Sequence, residues 1–367
     1  MMSRERFERR EIPLTRNSER DEALLTVIVP VYNVENYIEE CLASLVKQEN
    51  TRLKIIVIND GSQDASGEIC TRYQRCYPQM ITYIEQTNSG LGAARNVGLR
   101  KTISRYVTFL DGDDWYLDGA IDQAIKAIEA HSDCDIFFIL PQIYYMSDET
   151  IHPWYDADKL RKIFSTQDKG LIHAQTHKEL FSLQPSCCAR IFRTQFLREK
   201  SFSFQENIAW EDIIPHFYLL DMAQSCRFIE NAGFVYRRGR PGQITNMPES
   251  DASDLCLIYQ DLLCYAKEHE WPSEKRIFIH QRMLDYTFWR CRLSSPVVRK
   301  KLVTEMHRLL QQFDMEQQKE AMSVLKSSKQ CILFKLLKSP AYFLVDGLYS
   351  ISVEFKNAQK GNRVCNR

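Results

Sequence analysis

Between Leu24 and Leu140 the chain alternates between runs rich in β-branched residues and stretches whose apolar residues recur at helical spacing. Residues Leu24 to Tyr32 are almost continuously apolar, the pattern of a strand covered on both faces of a parallel sheet. Asn33 suits the N-cap of a following helix, in which Ile38, Leu42 and Leu45 share a face with Cys41 beside them. Leu53 to Ile58 is a second strand, and a helix opens near Asp64-Ala65-Ser66 with Ile69 and Tyr73 inward. Ile81 to Ile84 is a third strand, Leu91 to Ile103 a helix, and Arg105 to Leu110 a fourth strand. A helix over 118–130 carries Ile121, Ile125 and Ile128, and Cys134 to Leu140 is a fifth strand. This alternation predicts an α/β fold with a doubly wound, mainly parallel sheet. Such sheets bind ligands in the crevice beyond the carboxyl ends of their strands, so the residues after each strand matter most.

The fourth strand runs into Asp111-Gly112-Asp113-Asp114-Trp115. If the chain stays extended there, Asp111 and Asp113 point to one side, and Gly112 lets a ligand approach the backbone. A hard cation such as Mg²⁺ takes one or two carboxylates and completes its shell with water and substrate phosphates. Asp114 is within reach as an alternative to Asp113. One reading is therefore a metal-bound nucleoside diphosphate. The other is an acidic turn opening the next helix, with Asp118 and Asp122 as its start residues. After the third strand, Gly90-Leu91-Gly92-Ala93-Ala94-Arg95 begins like a dinucleotide fingerprint. Arg95 replaces the third glycine, and the unit is the third rather than the first, so nicotinamide or flavin redox chemistry is excluded.

Lys plus Arg balance Asp plus Glu at 48 each, which argues against nucleic-acid binding through bulk charge. Apolar residues make up 44% of the 367, enough for a large core. Twelve cysteines show no paired C-x-x-C spacing, and residues 1–22 are rich in Arg and Glu with no apolar signal core. These features predict reduced thiols, a cytoplasmic setting and a charged flexible arm over 1–22.

Four segments together resemble family 2 glycosyltransferases of the GT-A fold: Thr26 to Asn33, Asn59 to Asp64, Asn88 to Leu99, and Leu110 to Trp115. The resemblance covers about residues 24–116. It implies an inverting transfer of a sugar from a nucleotide diphosphate donor, most often a UDP-sugar. By that resemblance Tyr32 stacks on the base, Asp60 hydrogen-bonds it, and Asp111 and Asp113 handle ribose, diphosphate and a Mg²⁺ or Mn²⁺ ion. The same carry-over places Pro30, Asn33, Gly90, Arg95 and Gly112 along the donor site. Arg95 would pair with diphosphate or brace the acids. Ser62 and Asp64 read as caps. Further on, Glu211-Asp212 precedes an apolar helix with Pro215 in its first turn. The resemblance makes Asp212 the general base, which deprotonates the acceptor hydroxyl. Taken without the resemblance, Asp212 reads as a helix cap. Trp210 would shape the acceptor pocket.

The rest is organised more loosely. Residues 23–145 are expected to form the donor-binding half of the GT-A domain, 146–245 the acceptor and base half, and 246–367 a helical region. Over 141–185, Tyr144, Tyr145, Trp154 and Tyr155 mark either an acceptor-facing loop region or an irregular packed insert. Cys188 to Arg193 and Phe196-Leu197 suit a short strand and helix, and Phe228 to Glu230 and Phe234 to Arg238 suit strands. Arg237 to Gly242 is a basic loop, either closing over phosphates or simply solvated. Beyond 246, Leu255, Ile258, Leu262 and Tyr265 share a helical face, Ser273 caps a second helix, and a third follows Ser295-Pro296. Ile332 to Lys338 and Tyr342 to Val345 are too short and interrupted to span a bilayer. They pack on the helical region or lie on a membrane surface. No Gln-x-x-Arg-Trp motif of processive synthases occurs. The acceptor is expected to be a glycan or lipid-linked glycan in surface polysaccharide assembly, and oligomers through the C-terminal helices remain open. The competing readings are a silent nucleotide-sugar-binding scaffold and a sugar nucleotidyltransferase. The latter needs a Gly-rich phosphate loop after the first strand, where Tyr32-Asn33-Val34-Glu35 stands instead.

Overall fold

The structure, a computed structural model, describes residues 23–165, 171–243, 254–345 and Leu348. The arm expected over 1–22 lies outside these residues. The first strand, β1 (Leu25–Val31), is buried along its whole length. It pairs in parallel with β2 (Leu53–Asn59) on one side and β4 (Tyr106–Phe109) on the other, and β3 (Ile81–Glu85) extends the sheet beyond β2. Helices α1 (Ile38–Val46), α2 (Ser66–Cys76) and α3 (Leu91–Lys101) make the crossovers. The continuous apolar runs thus become strands buried on both faces, as parallel strands under helices must be.

Among the described residues the large sheet has seven strands in the order β10-β6-β9-β4-β1-β2-β3. Here β6 is Ile136–Ile139, β9 Arg190–Arg193 and β10 Cys226–Ile229. Between β4 and β6 the short β9 inserts antiparallel to both, so the sheet is mainly rather than wholly parallel. The chain reaches β6 through α4 (Ala120–Ala130), whose N-cap is Gly119 in the left-handed region. Asp118 is not its cap and instead pairs with Lys47.

Residues 141–185 are more regular than the sequence predicts. They supply β7 (Gln142–Tyr145), β8 (Thr150–Pro153) and α5 (Ala157–Ser165). With β5 (Trp115–Tyr116) and β11 (Phe234–Arg238) the two strands build a second sheet, β5-β11-β7-β8. The acids 111–114 therefore lie at the junction where the chain leaves the large sheet for the small one. Their backbone is a turn, with Asp114 N–H donating to the Asp111 carbonyl at 2.9 Å. The extended conformation expected there does not form, because β5 must turn back to pair with β11.

After α6 (Thr194–Glu199) and α7 (Ile213–Met222) come α8 (Asp254–Glu268), α9 (Ser273–Leu293), α10 (Pro296–Gln311), α11 (Met315–Ser323) and α12 (Ser328–Lys338). These C-terminal helices pack on one another, and α8 packs on α7. The N-cap position of α9 is Pro272 rather than Ser273. Leu333, Phe334 and Leu337 of α12 are buried, and Tyr342 stacks on His307 at 4.1 Å, while Ile332 and Phe343 stay exposed. No described helix is long and apolar enough to cross a membrane.

Candidate active site

The site forms where β1, β2 and β4 end. Pro30 has no N–H to give, and the last β1–β4 bond is Leu110 N–H to the Ile28 carbonyl at 3.0 Å. A proline in a central strand is tolerated only where the ladder stops, and here it opens a seam beside the acids. A Cβ on Gly112 would stand 3.2 Å from the Pro30 carbonyl and 3.2 Å from Val34 Cγ2. The chain itself thus packs closely at Gly112. Tyr32, just past β1, keeps 48% of its surface exposed, with its ring open to a partner.

Asn33 does not cap α1, which begins at Ile38 after an N-cap at Tyr37. With φ at 51° it turns toward the β2 loop instead. Its N–H donates to Ser62 Oγ at 3.1 Å, and its Oδ1 accepts from Gln63 N–H at 2.8 Å. Asp64 joins the same lacing, accepting from Glu35 N–H and from Ser66 N–H, each at 3.0 Å. These bonds hold its carboxyl below its ordinary value although partial burial works the other way. Ser62 and Asp64 therefore link two loops, and the N-cap of α2 is Ala65.

Asp60 is 4% exposed. Its Oδ1 accepts from Gln86 Nε2 at 2.7 Å and Ser89 N–H at 2.9 Å, and its Oδ2 from Gly90 N–H at 2.9 Å. Gly90 makes the last contact with φ at 86°, a conformation glycine adopts without cost. Asp60 thus ties the end of β2 to the start of α3.

Arg95, one turn into α3, is the hub of the site. It is 1% exposed. Its Nη2 donates to Asp111 Oδ1 at 2.9 Å, and its Nη1 donates to Glu211 Oε1 at 2.5 Å and Asp212 Oδ1 at 3.0 Å. The guanidinium stands over Phe204 at 5.5 Å and Phe109 at 5.9 Å. Of its two expected roles, bracing the acids is the one seen. The planar fork suits this, because it can hold carboxylates that arrive from different directions. Burial pushes Glu211 up to about 7 against the Arg95 charge, with the Asp212 charge adding to the rise. Partial burial likewise raises Asp111 despite Arg95, and Asp113 and Asp212 reinforce it.

Asp212 occupies the N-cap position of α7 but makes no side-chain cap bond. Its carboxylate turns to Arg95 and keeps 23% of its side-chain surface exposed. The cap reading of this residue therefore fails. Beneath it Arg190, on β9, donates to His216 Nδ1 at 2.6 Å, and His216 Nε2 meets the Phe181 carbonyl at 3.0 Å. Burial and the Arg190 charge hold His216 well below its ordinary value, so it stays neutral, donating from Nε2.

Asp113 and Asp114 part company. Asp114 is 1% exposed and accepts Arg237 N–H at 2.8 Å. Burial and the neighbouring Asp113 and Asp111 charges push it well above the carboxylate range. It anchors the junction of the two sheets. Asp113 Oδ2 accepts from Arg240 Nε. Arg237 is buried, donates through Nε to the Asp113 carbonyl at 2.8 Å and lies 4.5 Å over the Trp115 ring. The basic loop is thus neither free nor merely solvated: Arg240 sits on Asp113.

Asp111 and Asp113 each spend one oxygen on an arginine, and the other has no protein partner among the described residues. No three His, Cys, Asp or Glu side chains converge as a ligand set among the described residues. Two carboxylate oxygens fit a hard divalent ion that takes its remaining ligands from water and phosphate. The eleven cysteines in the described residues are free thiols, and burial pushes Cys41 and Cys187 beside the site well above their ordinary values.

No sequence feature points to α9 as a side of this site. Tyr286 and Trp289 reach Trp210, yet their spacing reads as an ordinary helix face. Gln86 and Arg240 likewise carried no signal as partners of Asp60 and Asp113.

Residues 26–192 match the family model described as Glycosyl transferase family 2. Among curated relatives, Glycosyltransferase GlyA of Streptococcus pneumoniae is 27% identical over 318 residues, 82% of this chain and 43% of that protein. Uncharacterized glycosyltransferase EpsJ of Bacillus subtilis is 30% identical over 236 residues, 63% of this chain and 65% of that protein. The chain thus spans less than two thirds of the length of these relatives. Among solved structures, residues 1–349 of S. aureus TarS in complex with UDP-GlcNAc superpose with a TM-score of 0.65 at 18% identity, covering 90% of this chain and 92% of that one. The fold, C-terminal helices included, is the one seen there.

Proposed function

We propose, from the match of residues 26–192 to the glycosyltransferase family 2 model, that this chain moves a sugar from a nucleotide diphosphate donor to an acceptor hydroxyl with inversion. The observation that carries the reading is the Arg95 hub, which joins Asp111 at the end of β4 to Asp212 at the head of α7. A donor diphosphate at the strand ends and a base beside it is the arrangement that in-line displacement needs. Tyr32 offers an exposed ring to the base of the nucleotide. Pro30, Asn33, Asp60, Gly90 and Gly112 shape the rim through loop lacing and close packing, rather than through free polar groups. Asp60 can still present an edge to the base beside its protein donors.

Asp111 and Asp113 would hold a Mg²⁺ or Mn²⁺ ion, whose chemistry is to neutralise the departing diphosphate. Arg240, now on Asp113, is placed to pair with phosphate oxygens when that carboxylate turns to the ion. Asp212 accepts the proton of the acceptor hydroxyl as the new bond to the anomeric carbon forms and the bond to the diphosphate oxygen breaks. Arg95 keeps the Asp212 carboxylate aimed. We take a UDP-sugar as the donor, in keeping with the UDP-GlcNAc bound by TarS. A glycan or lipid-linked glycan in surface polysaccharide assembly is taken as the acceptor on the family resemblance alone. The cytoplasmic setting, peripheral membrane contact, oligomers through the C-terminal helices and the division at 145 and 245 stand as proposals on the same footing.

The test is UDP release from a panel of UDP-sugars, with and without Mn²⁺, against glycan and lipid-linked acceptors. Metal-dependent release that rises with an acceptor supports the reading. UDP binding with no release under any acceptor overturns it in favour of a silent nucleotide-sugar-binding scaffold.

A further inference from the structure

Trp210 stands two residues before Asp212 with φ at 69°. A bulky L-residue in this left-handed region crowds its own backbone. Such a conformation persists only where the surroundings over-determine it. Here they come from α9. The Trp210 ring lies 5.8 Å from Tyr286 and 5.7 Å from Trp289, the second edge-on at 86°. Arg290 places its guanidinium 5.7 Å from the Trp210 ring and 5.8 Å from that of Trp289. Tyr286 is itself fixed, its hydroxyl accepting from Gln184 Nε2 at 2.6 Å.

The consequence of this grip falls on the next two residues. The Trp210 carbonyl accepts Ile213 N–H at 3.0 Å, closing a turn over Glu211 and Asp212. On the other side Ala209 N–H donates to Asp254 Oδ2, at the start of α8, at 2.8 Å. The turn that presents Asp212 is therefore held by α8 before it, by α9 at the indole and by Arg95 at the carboxylates. No cap bond from Asp212 helps to hold it.

We infer that Trp210 is a positioning residue, kept left-handed by Tyr286, Trp289 and Arg290, so that the turn it opens aims Asp212 at the acceptor. The inference rests on the reading of Asp212 as base and makes the C-terminal helices part of the catalytic apparatus. An indole that instead stacked on an acceptor sugar would act only when a sugar acceptor is present, and would leave no reason for the left-handed backbone.

Hydrolysis of UDP-GlcNAc with Mn²⁺ separates these roles, because water is then the acceptor and no sugar is there to stack. With full-length protein, Trp210→Ala is expected to lower the hydrolytic kcat at least tenfold with the KM for UDP-GlcNAc within twofold. Trp210→Gly, for which positive φ costs nothing, is expected to recover several-fold over Trp210→Ala. Hydrolysis by Trp210→Ala at the wild-type rate, or equal loss in the Ala and Gly variants, overturns the inference. Should Trp210→Ala not fold, or the wild type not hydrolyse this donor, the crystal structure of Trp289→Ala decides. Residue 210 displaced from the left-handed region supports the clamp, and an unchanged φ overturns it. That structural reading does not depend on the base, whereas transfer by Asp212→Asn at the wild-type rate removes the base and leaves the φ test standing.

Discussion

Arg95 Nη1 donates to Asp212 Oδ1 at 3.0 Å, joining residues 117 positions apart in the chain. One comes from the third crossover helix and the other from the head of α7. Because the same guanidinium holds Asp111, the end of β4 and the head of α7 share one buried cation.

Replacing that cation should cost both stability and activity. Arg95→Ala leaves three carboxylates without their partner, and breaking a buried pair of this kind costs about 3–5 kcal/mol. Urea denaturation should show the loss. Arg95→Lys should recover only part of it, since an ammonium cannot fork between Asp111 and Asp212. A Lys variant as stable and active as the wild type would show that the fork geometry is unimportant.

Asp212→Asn keeps the size and the turn but cannot take a proton. Transfer should fall by roughly 10²–10⁴, the usual contribution of a general base. UDP affinity by calorimetry should stay within about twofold, on the principle that the base acts on the acceptor and not the donor.

Asp113→Ala removes one expected metal ligand and releases Arg240. Turnover and Mn²⁺-dependent UDP binding should both disappear. Tight Mn²⁺-dependent binding in this variant would move the ligand role to other residues.

Tyr32 is 48% exposed, so Tyr32→Ala should leave the melting temperature nearly unchanged. If the ring stacks on the base, UDP binding should weaken by about 1–3 kcal/mol, the range found for base stacking on aromatic side chains. Equal affinity in the variant would place the base elsewhere.

Glu211 is raised from its ordinary value to about 7. The folded protein therefore holds a proton there that the unfolded chain has released, over the window from its ordinary value to about 7. Stability that is present below this window is lost as pH rises through about 7, by at most a few kcal/mol at about 1.4 kcal/mol per unit. Glu211→Gln should flatten the fall in melting temperature over that window. A wild-type melting temperature that rises with pH across it would contradict the sign.

Much of this could be read before any coordinates. The strands at Leu25–Val31 and Leu53–Asn59 were legible because parallel strands buried on both faces are continuously apolar. The acids after β4 stood out because three carboxyl groups follow an apolar strand, at the end where such sheets bind ligands. Asn33 was misread as a cap because its side-chain partner, Gln63, lies 30 positions away. Asp113 and Asp114 could not be told apart, since what divides them is Arg240 on one and the Arg237 N–H on the other.

Local pattern alone therefore determined the alternating elements, the parallel core and the strand end at which the acids collect, because strand and helix periodicity are properties of neighbouring residues. Tertiary structure alone decided that β9 enters antiparallel, that Arg95 binds three acids at once, and that an indole from outside the helix is gripped by α9. Those outcomes depend on pairings between residues far apart in the chain. Nothing in a residue's immediate neighbours specifies which distant side chain will satisfy its charge or hold its backbone.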